Sequence, residues 1–169
     1  MHRFASLLAV VLAAACSGTP STATHRTAPD LAGFLRLPAA TPTSCPSGVS
    51  AAASGRRSPW VGHVDVSVFV SSDRPADVQA LGDRLRTTPH VAQVYFESSA
   101  QAHAEFARLY TCSDRVPASE VPASYRLVLD PVTHAQRDGL VREIVRMPGV
   151  GDVSCDPSDP CVTAVGQGK

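Results

Sequence analysis

Two stretches of this chain repeat one another. Leu85-Arg86-Thr87-Thr88-Pro89-His90-Val91-Ala92-Gln93-Val94 has the layout of Ile144-Val145-Arg146-Met147-Pro148-Gly149-Val150-Gly151-Asp152-Val153. Each copy is a helix end, a proline, and a V-x-x-V segment running into a strand. A helix that stops at proline and feeds a strand, twice, restricts the chain to folds in which two β-α-β halves share one core. The first half opens at Val64, where Val64, Val66, Val68 and Val70 alternate with Asp65, Ser67 and Phe69. A period of two predicts a half-buried strand. Ser71-Ser72-Asp73-Arg74-Pro75 reads as a turn and helix start, and Val78, Leu81, Gly82 and Leu85 follow with helical spacing. Pro89 ends that helix. Val91 to Glu97 is the second strand, with Val94 and Phe96 on one face and Tyr95 on the other.

An alanine-rich stretch from Ser99 to about Tyr110 carries Phe106, Leu109 and Tyr110 at i, i+3, i+4, the spacing of a second helix. A loop with Cys112 and two prolines leads to a third strand, Ser124 to Asp130, with Tyr125, Leu127 and Leu129 on one face. Asp130-Pro131 supplies a cap and first-turn proline for a third helix, whose stripe is Leu140, Ile144 and Met147. Val150 to Cys155 is the fourth strand. The fold class predicted is α+β: a ferredoxin-like split βαβ sandwich, with a four-stranded antiparallel sheet, two helices on one face, and a small helical insertion between strands two and three. The valine face of the first strand and the Tyr125/Leu127/Leu129 face of the third meet the helices. The opposite face, with Asp65, Ser67, Arg126 and Asp130, is expected to meet water, with Phe69 and Val128 as apolar exceptions.

The N-terminus has a different character. Met1-His2-Arg3 precedes an apolar run from Phe4 to Ala15, too short to span a bilayer and laid out like a secretory signal. Ala13-Ala14-Ala15 satisfies an ordinary cleavage site. Leu12-Ala13-Ala14-Ala15-Cys16 also resembles a bacterial lipobox, although Ala13 stands where leucine is usual. On the lipobox reading, Cys16 carries acyl chains such as palmitate and holds the protein on the outer face of the membrane. The expected organisation is a signal peptide at 1–15, a lipidated flexible linker at 16–59, the folded domain at 60–156 and a tail at 157–169. Asp30 to Leu37 interrupts the linker with an apolar patch, read as a segment docking on the domain, and Trp60 is expected to cap the core.

Removing Cys16 leaves Cys45, Cys112, Cys155 and Cys161. An even count outside the cytoplasm reads as two disulfides, and four cysteines allow three pairings. Cys155–Cys161 with Cys45–Cys112 is the preferred pairing. Zinc is disfavoured by the lack of any C-x-x-C spacing.

Fifteen basic and fifteen acidic residues balance, which argues against a nucleic-acid partner. No G-x-S-x-G elbow, H-E-x-x-H helix or phosphate loop is present. No catalytic residue, cofactor or metal is therefore assigned. His63, His90, His103 and His134 read as surface or turn residues, and a His103–Cys112 thiol–imidazole pair is set below a disulfide.

Val64 to Ser154 resembles the extracellular domain of FtsX-type cell-division permeases. The matching pieces are Val66-Ser67-Val68-Phe69, Asp73-Arg74-Pro75, Pro89-His90-Val91-Ala92-Gln93-Val94-Tyr95-Phe96, Phe106, Glu120-Val121-Pro122-Ala123-Ser124-Tyr125-Arg126-Leu127, and Pro148-Gly149-Val150-Gly151-Asp152-Val153. Family members carry this domain between membrane helices of a permease coupled to a cytoplasmic ATPase, and there it recruits or activates cell-wall hydrolases. This chain shows no spanning helix. The resemblance therefore implies a detached, lipid-tethered, non-enzymatic protein-binding module linked to cell-wall or cell-division processes. Its partner would be an envelope protein, either a cell-wall hydrolase or its regulator. It also implies that Phe106, Leu109 and Tyr110 contact that partner, with the loop to Val116 beside them. The alternative for these three is that they pack down on the sheet. The alternative for the whole chain is an extracytoplasmic small-ligand sensor.

Overall fold

The computed structural model describes residues 28–40, 52–112, 116–155 and 161. The expected signal peptide at 1–15, the expected lipidation site Cys16, Cys45, and the expected tail at 157–169 apart from Cys161 lie outside the described residues. In chain order the elements are α1 (Leu31–Leu35), β1 (Ala52–Ala53), β2 (Val66–Val70), α2 (Pro75–Thr87), β3 (Val91–Glu97), α3 (Ser99–Leu109), β4 (Tyr110–Thr111), β5 (Ser124–Leu129), α4 (His134–Val145) and β6 (Val150–Cys155), with a 3-10 turn at Ala118–Glu120.

Strands β3, β5, β2 and β6 lie side by side in that order, every neighbour antiparallel. The first and third sheet strands are central and the second and fourth are edges, which is the interleaving of a ferredoxin-like sandwich. The two repeat junctions match in backbone as well as in sequence. Val91 N–H bonds Thr88 O at 3.2 Å, and Val150 N–H bonds Met147 O at 3.2 Å. In each turn the residue after proline is left-handed: His90 at φ 68° and Gly149 at φ 94°. Proline followed by a positive φ is the type II turn. Glycine takes that conformation freely, whereas histidine meets a Cβ clash.

One face of the sheet is apolar. Val66, Val68 and Val70 of β2, Tyr125, Leu127 and Leu129 of β5 and Val153 of β6 pack against Leu81 and Leu85 of α2 and Leu140, Val141 and Ile144 of α4. Each fully buried aliphatic side chain contributes about 1.5–3 kcal/mol. Helix α2 approaches β5 closely because residue 82 is glycine. A Cβ there would sit 2.6 Å from the Tyr125 hydroxyl, which donates to Val78 O at 2.7 Å.

Three expectations change. Helix α4 does not start at Asp130-Pro131. Its cap is Thr133, whose hydroxyl accepts Gln136 N–H while Gln136 Oε1 accepts Thr133 N–H. That reciprocal box satisfies two of the helix's free donors, and Asp130 N–H is already used by His90 O at 3.0 Å. Val64 does not continue the valine face either. Its N–H turns back to Trp60 O at 3.3 Å, and its side chain joins Trp60 and Val128 on the opposite side.

That opposite side is the third change. Ser67 and Arg126 are half-buried rather than open to water, and Val128 is buried. Trp60 and α3 lie over them, and Leu31 and Tyr95 pack on the same cluster. Residues 28–40 and 52–59 are docked here, as expected of the apolar patch Asp30 to Leu37. Ala40 N–H bonds Ala107 O at 2.9 Å, Ser54 N–H bonds Leu109 O at 2.7 Å, and Ser54 Oγ donates to Arg108 O at 3.0 Å. These bonds occupy the carbonyls that the C-terminal end of α3 leaves without helical partners. The Arg108 guanidinium donates to Leu35 O and Ala104 O, tying α1 to α3. Strand β1 pairs antiparallel with β4.

Candidate partner-binding site

The insertion between β3 and β5 begins at a strong local signal. Ser98 caps α3 by accepting Gln101 N–H at 3.3 Å, and Gln101 Oε1 accepts Ser98 N–H at 3.0 Å. Along α3 the buried residues are Ala102 and Glu105. Phe106, Leu109 and Tyr110 are each half-buried, so they form neither an open aromatic patch nor a core layer. Phe106 and Tyr110 stack with ring centroids 4.5 Å apart. The carbonyl oxygen of Val116, expected beside them, accepts a hydrogen bond from His103 Nε2 at 3.1 Å.

A groove of about 720 Å³ opens where the insertion meets the sandwich. Its floor is apolar, with Val70, Val78 and Tyr125 from the sandwich and Val121 and Pro122 from the insertion. Phe96 stands in it 45% exposed, its ring 5.1 Å from that of Tyr125. Serine hydroxyls at 71, 72, 98, 99 and 119 line it, with Asp73 and Arg86. The sequence placed Phe96 on a strand face with Val94, and strand alternation carries no sign that this end of the face is uncovered.

On the other side of the sheet lies a buried charged cluster that the sequence did not reveal. Glu97 is 0% exposed, and its Oε2 accepts from Ser124 Oγ at 3.0 Å, Arg126 Nε at 3.1 Å and Arg126 Nη2 at 2.5 Å. Glu105 is 4% exposed and takes Ser58 Oγ at 2.6 Å and Trp60 Nε1 at 2.9 Å. Arg126 also donates to Ser67 Oγ at 2.7 Å and lies over the Trp60 ring at 5.5 Å. Burial works against the Glu97 charge, but hydrogen bonds from Glu105, Arg126 and Ser124 and the Arg126 charge hold its carboxyl below the usual range. Burial first, then Glu97, push Glu105 up to about 7. Two carboxyls driven apart in acidity are also a signature of acid–base catalysis. Here both are sealed from solvent, so this pair cannot meet a substrate. The signal available in the sequence was Glu105 at i+3 from Ala102 and i−4 from Leu109, on the face that Phe106 does not share.

Cys155 and Cys161 form a disulfide with Cα atoms 5.7 Å apart. Cys112 is buried and disulfide-bonded, which removes a thiol–imidazole pair with His103. Among the described residues no cluster of three or more His, Cys, Asp or Glu could hold a metal ion, and no helix is long and apolar enough to cross a membrane.

Sandwich, insertion and groove define a small α+β module with two differently furnished sheet faces. Residues 63–158 match the family described as the FtsX extracellular domain, and the chain belongs to that family. It is thus an extracellular domain of a cell-division-related type. No curated protein matches the chain.

Proposed function

We propose that this chain is a non-enzymatic lipoprotein of the cell envelope that binds another envelope protein through its insertion. The groove beside Phe96 carries this reading. Exposed aromatic surface next to an apolar cleft is costly to leave in water and commonly marks an interface. An extended apolar segment of the partner would fill the cleft, with the serine hydroxyls bonding its backbone. Phe106, Leu109 and Tyr110 would supply the insertion's second contact. The partner proposed is a cell-wall hydrolase or its regulator. Cys16 is proposed as the lipid anchor, and Cys45 as the disulfide partner of Cys112.

The test is crosslinking capture from the native envelope with the lipidated chain. Phe96→Ser is expected to abolish capture of the hydrolase or regulator while leaving the melting temperature unchanged. Capture at the wild-type level would contradict the groove. Cys16→Ala should release the mature chain into the medium, and its retention on the membrane would defeat the anchor.

The groove's volume also lies within the range of small-molecule sites, roughly 300–1,000 Å³. That favours the small-ligand sensor as a second reading. A ligand that raises the melting temperature of wild type but not of Phe96→Ser would support it.

A further inference from the structure

Trp60 is the only tryptophan in the chain, and its indole N–H sits between two carboxyls. Glu105 Oε2 is 2.9 Å away and Glu97 Oε1 is 3.4 Å away. The cluster joins three parts of the molecule: the segment before β2 through Ser58 and Trp60, helix α3 through Glu105, and the sheet through Glu97, Ser124 and Arg126. Its charges do not balance if both carboxyls ionise, because one guanidinium then faces two carboxylates. Glu97 holds every charged donor in the cluster, and the two donors to Glu105, a hydroxyl and an indole, are neutral. A second carboxylate here would be buried beside a like charge with no cation of its own, an arrangement that low-dielectric surroundings penalise heavily.

We propose that Glu105 and Glu97 are a proton-operated latch: a carboxylic acid at Glu105 donating to the Glu97 carboxylate clamps α3 and the Trp60 segment onto the sheet, and loss of that proton releases them. The latch concerns the fold alone and does not depend on what the groove binds. The charges acting on Glu105 are Glu97 on β3 and Arg126 on β5. Asp65, at the entry to β2, lines a small cavity with Trp60 and Arg126 and accepts Leu129 N–H at 2.8 Å. The other charged or titratable groups of the packed elements bond elsewhere: Arg108 to Leu35 O and Ala104 O, His103 to Val116 O, Arg56 to Pro38 O, and Asp30 to Gly33 N–H. His63 and Arg57 belong to the Trp60 segment itself.

Glu105 is raised from 4.5 to about 7, so its contribution is complete below 4.5 and is lost as the pH rises through about 7. Glu97 is lowered from 4.5, so its contribution is complete above that value and is lost only in stronger acid. The clamp is therefore tightest near pH 4.5 to 5 and loosens towards neutrality.

Trp60 emission in the full chain, followed between pH 5 and 9, tests this directly, with amide exchange of α3 recorded alongside. Wild type should show one transition with a midpoint near pH 7, and α3 amides should exchange faster above it while those of α2 keep their protection. Glu105→Gln keeps the hydrogen bonds without the ionisation, so its emission should be flat over the same range. Glu97→Gln removes the competing anion and should move the midpoint at least about one unit to acid. A flat wild-type profile, or a midpoint unmoved in Glu97→Gln, would overturn the latch. So would a transition that persists in Glu105→Gln. Should Glu105→Gln fail to fold, the wild-type and Glu97→Gln profiles still decide.

Discussion

The two faces of the sheet are held to their coverings by opposite means. Against α2 and α4 the contact is aliphatic and dry, with Leu127 from β5 meeting Leu81, Leu85 and Ile144 from the helices. Against Trp60 and α3 it is an ionised, hydrogen-bonded cluster built on Arg126 and Glu97. The first is indifferent to pH and tolerant of small shifts in position, because hydrophobic burial has no direction. The second demands fixed geometry and one particular proton count. The half of the molecule that defines the fold is thereby separated from the half that can respond to its medium.

The strongest way to break this contrast is to remove one partner from the charged side. Arg126→Ala strands the Glu97 carboxylate in a sealed site and should cost about 3–5 kcal/mol in chemical unfolding. A loss below about 1 kcal/mol would mean that water already reaches the cluster. Next comes pH. Between 4.5 and about 7 wild-type stability should fall by about 2–3 kcal/mol as the pH rises, because the folded state then keeps a proton on Glu105 that the unfolded state has released. Urea melts at pH 5 and pH 8 measure it, and Glu105→Gln should flatten the difference. The dry side is sharpened by Gly82→Ala, whose methyl would drive into the Tyr125 hydroxyl. Overpacking of this kind costs about 1–3 kcal/mol, and it should be equal at pH 5 and pH 8. The smallest effect lies at the repeat junction. His90→Gly relieves a left-handed residue at φ 68° and should raise stability by up to about 1 kcal/mol, seen as a small rise in melting temperature.

Much of the dry side was legible in the sequence. The alternation in Val66, Val68 and Val70 gave β2 its buried face, and the paired P-x-V turns at Pro89 and Pro148 gave the sandwich its two halves. The other side was not. Strand alternation says which way Ser67 and Arg126 point but not what lies over them. Their cover comes from Trp60 and from Glu105, 45 residues apart in the chain. Trp60 was read as a cap on the core, and it caps the face that was expected to be wet. The start of α4 was misplaced for a local reason: Asp130-Pro131 and Thr133-x-x-Gln136 both carry cap chemistry, and only the second satisfies two donors at once. In α3 the eye follows the aromatic stripe at Phe106 and Tyr110, yet the residue turned to the sheet is the carboxyl at 105.

The most direct test of a sealed, singly protonated cluster is the carboxyl carbon shift of Glu105 and Glu97, followed by NMR from pH 3 to 9. Glu105 should titrate near 7 and Glu97 below 4.5. Titration of both carboxyls near the ordinary 4.5 would show that α3 and Trp60 do not close that face of the sheet.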